Sequence, residues 1–406
     1  MLPLFLVVPT FSLASSKLDE QDFQKFLIVN IVYGFLVLFE GGVGRATVIF
    51  FQQKLDINQE KIALYNAILL SALILTIATA VLISIAIYFA HWLGFGRIWI
   101  DIIISILPQL YIGGIAAGLF LTLSGFLEAK LRFSAAMISR AIFTGSFYLT
   151  AIIGFSFEQQ VDSIITLMSI TRIFFISLCF GLFARLRLKH FKFKIEYFWN
   201  IKKISLPIFS SSAPGIIVAF FERLAPIALH DASGSTITTY LTTIDVYGKA
   251  LVAPLSVNRS VFPDIAQRGL YLARQGLFFA LISMSSLAVI VFLSSFWLTP
   301  KIYELWLSLY MSSTDRLMLV IMSASWGLTV INQVFMNALQ ASQRSNELLI
   351  LQLSELIVFI VTFLVLASDF GLLGVAGASL VRAVFDLLGL SFLTLRQYLR
   401  MRKLVS

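Results

Sequence analysis

Long apolar stretches alternate with short polar connections along the whole chain. The stretches cover roughly 2–15, 26–44, 63–90, 100–124, 135–156, 161–184, 205–228, 234–257, 277–299, 317–339, 347–368 and 372–395. A helix needs about 20 apolar residues to cross the bilayer core, and all but the first stretch approach or exceed that length. The first, Met1 to Ser15, is short and holds Pro3 and Pro9. No basic segment precedes it, so it reads as the remainder of a first helix and not as a signal peptide. If it does not cross, eleven spans remain and the N-terminus changes sides.

Composition agrees with lipid as the solvent. Charged residues make up 13% of the 406 and hydrophobic ones 59%, with a mean hydropathy of +0.93. An ordinary globular domain carries about 25% charged residues, and so few charges cannot cover a soluble surface. Single Cys179 lies in an apolar run, and His91, His190 and His230 do not pair at ligand spacing. These counts exclude a disulfide framework and argue against a metal centre. The net charge of +9 would suit nucleic acid, but its distribution points elsewhere.

Loop charges set the orientation. The connections 45–62, 125–134, 185–204, 258–276, 340–346 and the C-terminal tail hold 20 Lys and Arg; the opposite set holds 5. The basic side therefore faces the cytoplasm, and both termini with it. The run from Arg185 to Lys194 opens the longest polar connection and divides the chain nearly in half. It reads as a stop-transfer segment and anionic-lipid anchor, with no nucleic-acid partner.

Three matches at near-constant offset indicate a repeat. Val43-Gly44-Arg45 corresponds to Val257-Asn258-Arg259, Leu127–Arg132 to Leu339–Arg344, and Arg172-Ile-Phe-Phe to Arg382-Ala-Val-Phe, at offsets of 214, 212 and 210. Six spans per half make the repeats parallel, related by an axis along the membrane normal. The expected fold is an all-α polytopic membrane protein of about 12 transmembrane helices, in two parallel six-helix halves around a central cavity. The halves are 1–184 and 205–406, joined by a cytoplasmic basic linker at 185–204.

Charges left inside the spans carry the functional signal. Arg140, Arg172, Arg223, Lys249 and Arg382 are basic; Glu40, Glu222, Asp245, Glu355 and Asp386 are acidic. Each basic residue costs at least about 2.5–3.5 kcal/mol at the bilayer centre unless it meets a wet cavity or a partner. Asp245/Lys249 and Arg382/Asp386 stand at i,i+4 and can pair along their helices. The sharper reading gives the five basic residues one positive lumen for an anionic ligand, since arginine offers a planar fork matched to phosphate oxygens. Glu222 and Asp245 are then candidates for ion coupling. Pro207, Pro214 and Pro226 interrupt span 7, as an ordinary kink or as a bending helix used when the halves rock. Gly114-Ile-Ala-Ala-Gly118 and Gly374-Val-Ala-Gly-Ala378 are close-packing signals without chemical specificity.

Together, the two six-span halves, Gly44-Arg45 ending span 2, and an acid–Arg pair in a proline-led span 7 resemble one known group. It is the polysaccharide branch of the multidrug/oligosaccharidyl-lipid/polysaccharide exporter superfamily, the O-antigen (Wzx-type) flippases. That family's seventh helix runs from Ser/Leu-Pro to Asp-Arg; here Ser205-Leu206-Pro207 leads to Glu222-Arg223, with Glu replacing Asp. Pro263 matches the proline after the eighth helix, and Gly374-Val-Ala-Gly377-Ala378 the start of the last. The first-half counterpart of that motif is missing around Gly154, and the fuller first helix is cut short. The resemblance implies a bacterial inner-membrane protein moving undecaprenyl-diphosphate-linked oligosaccharide from the cytoplasmic to the periplasmic leaflet. It implies a polysaccharide polymerase as a further partner, and neither cofactor nor enzymatic step. Arg223 is the basic residue that also matches a family position.

Three alternatives stay open. A drug/cation antiporter of the same superfamily would carry an acid in its first helix, and Met1–Ser15 has none. A lipid II flippase would have two further C-terminal spans. A membrane glycan polymerase or ligase would place catalytic residues on a long external loop, and the expected external connections are short.

Both termini are expected in the cytoplasm. Reporter fusions at Met1, after Leu188 and after Ser406 should be active only with a cytoplasmic reporter; periplasmic activity at any of them removes the twelve-span arrangement.

Overall fold

The computed structural model describes residues 2–19, 22–23, 25–26, 29–30, 42–51, 56–92, 104, 107–185, 190–228, 234–250, 261–307 and 311–405. Every regular element among the described residues is helical: α1 (Leu2–Lys17), α2 (Val43–Phe50), α3 (Ile57–Trp92), α4 (Leu107–Ala129), α5 (Phe133–Ser156), α6 (Val161–Cys179), α7 (Ile195–Ala228), α8 (Gly234–Ala250), α9 (Arg274–Leu307), α10 (Ser313–Ala341) and α11 (Ser345–Val405). Among the described residues, eight helices are long and apolar enough to cross a membrane. One of them, α11, holds two of the expected spans, because Gly371 breaks it with φ 57° and ψ −132°. This break falls in the expected connection 369–371. Most of the expected second span, with Glu40, lies outside the described residues, as does Val257-Asn258-Arg259.

The chain divides into two compact units, Met1–Phe209 and Ser210–Ser406, with the boundary inside α7. In the first unit α1 packs on α5, and Thr10 Oγ1 donates to Tyr148 O at 3.4 Å. Phe11, Phe26 and Phe155 meet edge to face at 5.8 and 5.2 Å. The short first stretch is thus a helix, seated by aromatic burial. Its last residue, Lys17, bonds Glu158 in the α5–α6 turn at 2.9 Å, which holds that carboxyl below its ordinary pKa. Glycines set the closest approaches. A Cβ on Gly125 would stand 2.1 Å from Gly44 O, so α2 and α4 touch backbone to backbone.

The repeat reappears as turn geometry. Helix α4 ends at Ala129 and α5 begins at Phe133; α10 ends at Ala341 and α11 begins at Ser345, so both boundaries keep the offset of 212. Leu131 (φ 55°) and Gln343 (φ 58°) both take the left-handed conformation. Arg132 N–H donates to Leu127 O at 2.9 Å, and Arg344 N–H to Leu339 O at 3.0 Å. Leu131 N–H reaches Glu128 O at 2.9 Å, and Gln343 N–H reaches Gln340 O at 3.0 Å. These paired bonds close the helix ends in the same Schellman fashion in both units, satisfying carbonyls that would otherwise be orphaned. The glycine missing from the first-half motif has a physical counterpart. Gly154 lets α5 approach Ile164 of α6, with a Cβ meeting its side chain at 2.7 Å. In the second unit Gly374 does this from the other arm, where a Cβ would lie 1.9 Å from Leu366 O.

The expected linker is partly helical, since α7 begins at Ile195. Residues ahead of it are held by Asn66 of α3, which donates to Lys192 O at 3.0 Å and accepts from Lys194 N–H at 3.0 Å.

Gly374→Ala should force the two arms of α11 apart and destabilise the protein by about 1–3 kcal/mol. Gly377→Ala meets Leu366 only at 3.4 Å and should be tolerated. Thermal unfolding of the two purified variants checks the contrast; equal midpoints would discount the close approach at Gly374.

Candidate functional site

The second unit gathers its buried charges at one place. Gly371 turns α11 back on itself, so residues from both arms meet. Arg382, on the second arm, donates from Nη1 to Glu355 Oε1 on the first arm at 3.1 Å. Its Nε stands 3.7 Å from Glu222 Oε1 of α7. Gln352 Nε2 donates to Asp386 Oδ1 at 2.9 Å. Asn332 of α10 donates to Ala383 O at 3.0 Å, one turn away. Glu355 is 1% exposed. Among the described residues, four helical segments thus bring three acids together around the Arg382 guanidinium.

The i,i+4 reading of Arg382 with Asp386 changes in detail. The described ion pairs of Arg382 go to Glu355 and Glu222, while Asp386 is engaged by Gln352. A base preceding an acid at i,i+4 is the weaker order along a helix, and buried carboxylates on neighbouring helices have no water to compete for them.

Span 7 meets its own constraint here. Helix α7 is continuous through Pro207, Pro214 and Pro226. A proline removes the N–H that would bond the carbonyl four residues earlier. For Pro226 that carbonyl belongs to Glu222, and Tyr240 Oη donates to it at 3.0 Å. The freed acceptor is therefore satisfied from α8, beside the Glu222 carboxyl. Arg223 follows on α7 and is half-buried. Asp245 and Lys249 belong to α8, but their side chains lie outside the described residues.

In the first unit Arg140 of α5 pairs with Glu128 of α4, and Ser124 Oγ donates to the same Glu128 oxygen at 3.2 Å. Arg172 Cζ of α6 lies over the Phe147 ring at 3.9 Å from its centroid and over the Phe143 ring at 5.6 Å. Phe143 stacks on Phe120 at 4.5 Å. A guanidinium on an aromatic face keeps its charge while replacing water with the ring quadrupole. Arg140, on α5, thus engages α4, and Arg172 of α6 engages α5; Glu222 and Arg382 meet in the second unit.

Glu128, Gln352, Asn332 and Tyr240 were not among the expected site residues. The apolar run 100–124 leaves Glu128 in a connection, whereas α4 continues to Ala129. Glu355 and Asp386 were visible as acids within apolar runs, without a sign of which base they meet.

No protein-family model and no curated protein matches the sequence. Solved structures match nearly end to end. An inward-facing multidrug resistance MATE family transporter of the MOP superfamily superposes with a TM-score of 0.72 at 15% identity, covering 98% of this chain and 96% of that one. A MOP superfamily transporter from Pyrococcus furiosus, described by the reversed polarity of its binding pocket, gives 0.71 at 15% identity over 100% and 95%. A Vibrio cholerae MATE transporter variant gives 0.68 at 15% identity over 98% and 95%. The chain is therefore an all-helical, multi-span membrane protein with the fold of MOP superfamily transporters.

Arg382→Gln should leave three acids facing one another and destabilise the protein by about 3–5 kcal/mol. Arg382→Gln combined with Glu355→Gln removes one charge of each sign and should recover most of that loss in detergent melting curves. A double variant no more stable than the single one would mean the pair is not the stabilising contact.

Proposed function

We propose that this protein exports lipid-linked oligosaccharide, moving an undecaprenyl-diphosphate-linked glycan across the bacterial inner membrane by alternating access. The observation that carries this reading is the set of basic residues inside membrane spans: Arg140, Arg172, Arg223, Lys249 and Arg382. In this reading they contribute to one positive lumen that receives the diphosphate. The Pyrococcus furiosus neighbour supports it by analogy, because that transporter is described by a binding pocket of reversed polarity. Arginine suits the role, since its fork can exchange a carboxylate for two phosphate oxygens without losing a bidentate partner.

Ion coupling belongs to the same proposal. Glu222 and Asp245 are the coupling candidates, and the geometry adds Glu355 and Asp386 to Glu222. In this reading the acids gathered around Arg382 exchange a proton or a cation as the halves rock. Glu222 links the cluster to Tyr240 through the carbonyl freed at Pro226, placing the exchange on a helix with built-in bending points. The protein then resides in the inner membrane with cytoplasmic termini, and hands its glycan to a polysaccharide polymerase outside.

A drug/cation antiporter is the second reading. The excess of acids in the Glu222–Arg382–Glu355–Asp386 cluster favours it, as do fold neighbours described as multidrug transporters.

Gln at each of the five basic positions, assayed for surface polysaccharide at matched membrane levels, separates the two. Arg172→Gln and Arg223→Gln should reduce export by about ten-fold or more, and Arg223→Lys should do so only partly, because a point charge lacks the fork. Normal export by all five variants, or efflux of a cationic dye that glycan precursors do not inhibit, would overturn the flippase reading.

A further inference from the structure

The start of α7 and the residues leading into it form a surface that the transport reading does not use. From His190 to Lys203 the chain holds four lysines and one acid, Glu196. Its large apolar side chains face outward: Phe191, Phe193, Ile195 and Trp199 are 47%, 59%, 62% and 46% exposed. The opposite side is firmly seated. His190, Tyr197 and Ile201 are buried, and Tyr197 meets Phe50 of α2 at 6.0 Å. Asn66, itself fully buried, clamps the backbone on both sides of Phe193 through Lys192 O and Lys194 N–H. Phe191 rests edge-on against Tyr65 of α3 at 5.1 Å.

Ammonium groups lie close to rings along this strip, those of exposed Trp199 and of buried Tyr197. Lys202 Nζ lies 4.2 Å from the Trp199 ring centroid, and Lys194 Nζ lies 5.3 Å from that of Tyr197. Lys192, Lys194 and Lys203 are exposed. A mixed strip of this kind suits neither bulk water, which would not reward four large apolar groups, nor the hydrocarbon core, which excludes ammonium ions. It suits the boundary between them, where rings enter the acyl region and ammonium groups stay among headgroups. The lysines select negative headgroups over neutral ones.

We infer that the surface from His190 to Lys203 is a docking site for anionic phospholipids of the leaflet that it faces, with Phe191, Phe193, Ile195 and Trp199 entering the acyl boundary and the lysines holding headgroup phosphates. Four lysines spread along the strip match a row of separate headgroups better than one compact ligand. The clamp at Asn66 keeps the strip in its binding shape, so little ordering is required when lipid arrives.

Native mass spectrometry of the detergent-solubilised full chain tests this with phosphatidylglycerol and phosphatidylcholine as probes. The wild-type protein should retain phosphatidylglycerol over phosphatidylcholine by roughly ten-fold, since each lysine near an anionic surface favours it measurably. Lys192→Gln, Lys194→Gln, Lys202→Gln and Lys203→Gln combined should bring that ratio below about two-fold. Phe191→Ser with Phe193→Ser should lower retention of both lipids while the ratio persists. Raising the salt on the wild-type protein gives the same readout without a variant, and the preference should fall. Equal retention of the two lipids by the wild-type protein would overturn the inference, as would an unchanged preference in the quadruple variant. A mobility shift with RNA in place of any lipid preference would overturn it as well, and assign the strip to nucleic acid.

Discussion

A charge or an open backbone carbonyl inside a bilayer has no water to bind, and this protein meets that deficit from its own side chains. Arg382 reaches Glu355 and Glu222 across helices. Arg140 reaches Glu128 with Ser124 beside it. The carbonyl freed by Pro226 is met by the Tyr240 hydroxyl. Each solution needs a partner on another helix, so the polar groups fix which helices adjoin and at what height. Apolar packing alone would allow many registers, because lipid tails are as apolar as leucine and offer no penalty for sliding. The glycine contacts then set the separation, as where Gly125 rests on Gly44 O and Gly374 on Leu366 O.

The two units share a frame and differ in what they do with charge. At the offset of 212, Glu128 corresponds to Gln340 and Arg140 to Gln352. In the first unit these positions hold an ion pair. In the second they hold amides: Gln340 donates to Ser211 and Ser212 at 3.2 and 3.1 Å, and Gln352 donates to Asp386. The turns between them are nevertheless the same, down to the left-handed Leu131 and Gln343. Turn geometry is a local matter of a few backbone bonds and survives a change of side chain. Electrostatic balance is a sum over all neighbours, so one exchange of acid for amide shifts the others. The second unit gathers its acids around Arg382.

Much of this frame is legible in the sequence because the bilayer imposes a strong, one-dimensional pattern. Span lengths, the break at Gly371 and the repeat all follow from hydropathy and spacing. Helix ends are less legible: α4 continues past the apolar run 100–124 to Ala129, and so takes in Glu128, which the run leaves in a connection. The contacts at the site were harder still. An i,i+4 spacing suggested Arg382 with Asp386, yet partners on α7 and on the other arm of α11 took the guanidinium. Spacing within one helix is visible in a sequence; the rotation of a helix against its neighbours is not. The three prolines of α7 invited a kink, and the remedy for one of them was a hydroxyl 14 residues further on, in Tyr240.

Arginine itself is part of the reason that charge alone did not reveal the site. A guanidinium is planar, weakly hydrated and forked, so it can lie on a ring or divide its hydrogen bonds between two acids. Arg172 does the first, over Phe147. Arg382, 210 residues further on, does the second. A lysine at either place would be a point charge that needs water or a single close carboxylate. The same residue type, at matching places in two halves, can therefore be stabilised by entirely different neighbours and still remain charged. A ring face holds a guanidinium through its quadrupole, whereas carboxylates hold it through opposite charge.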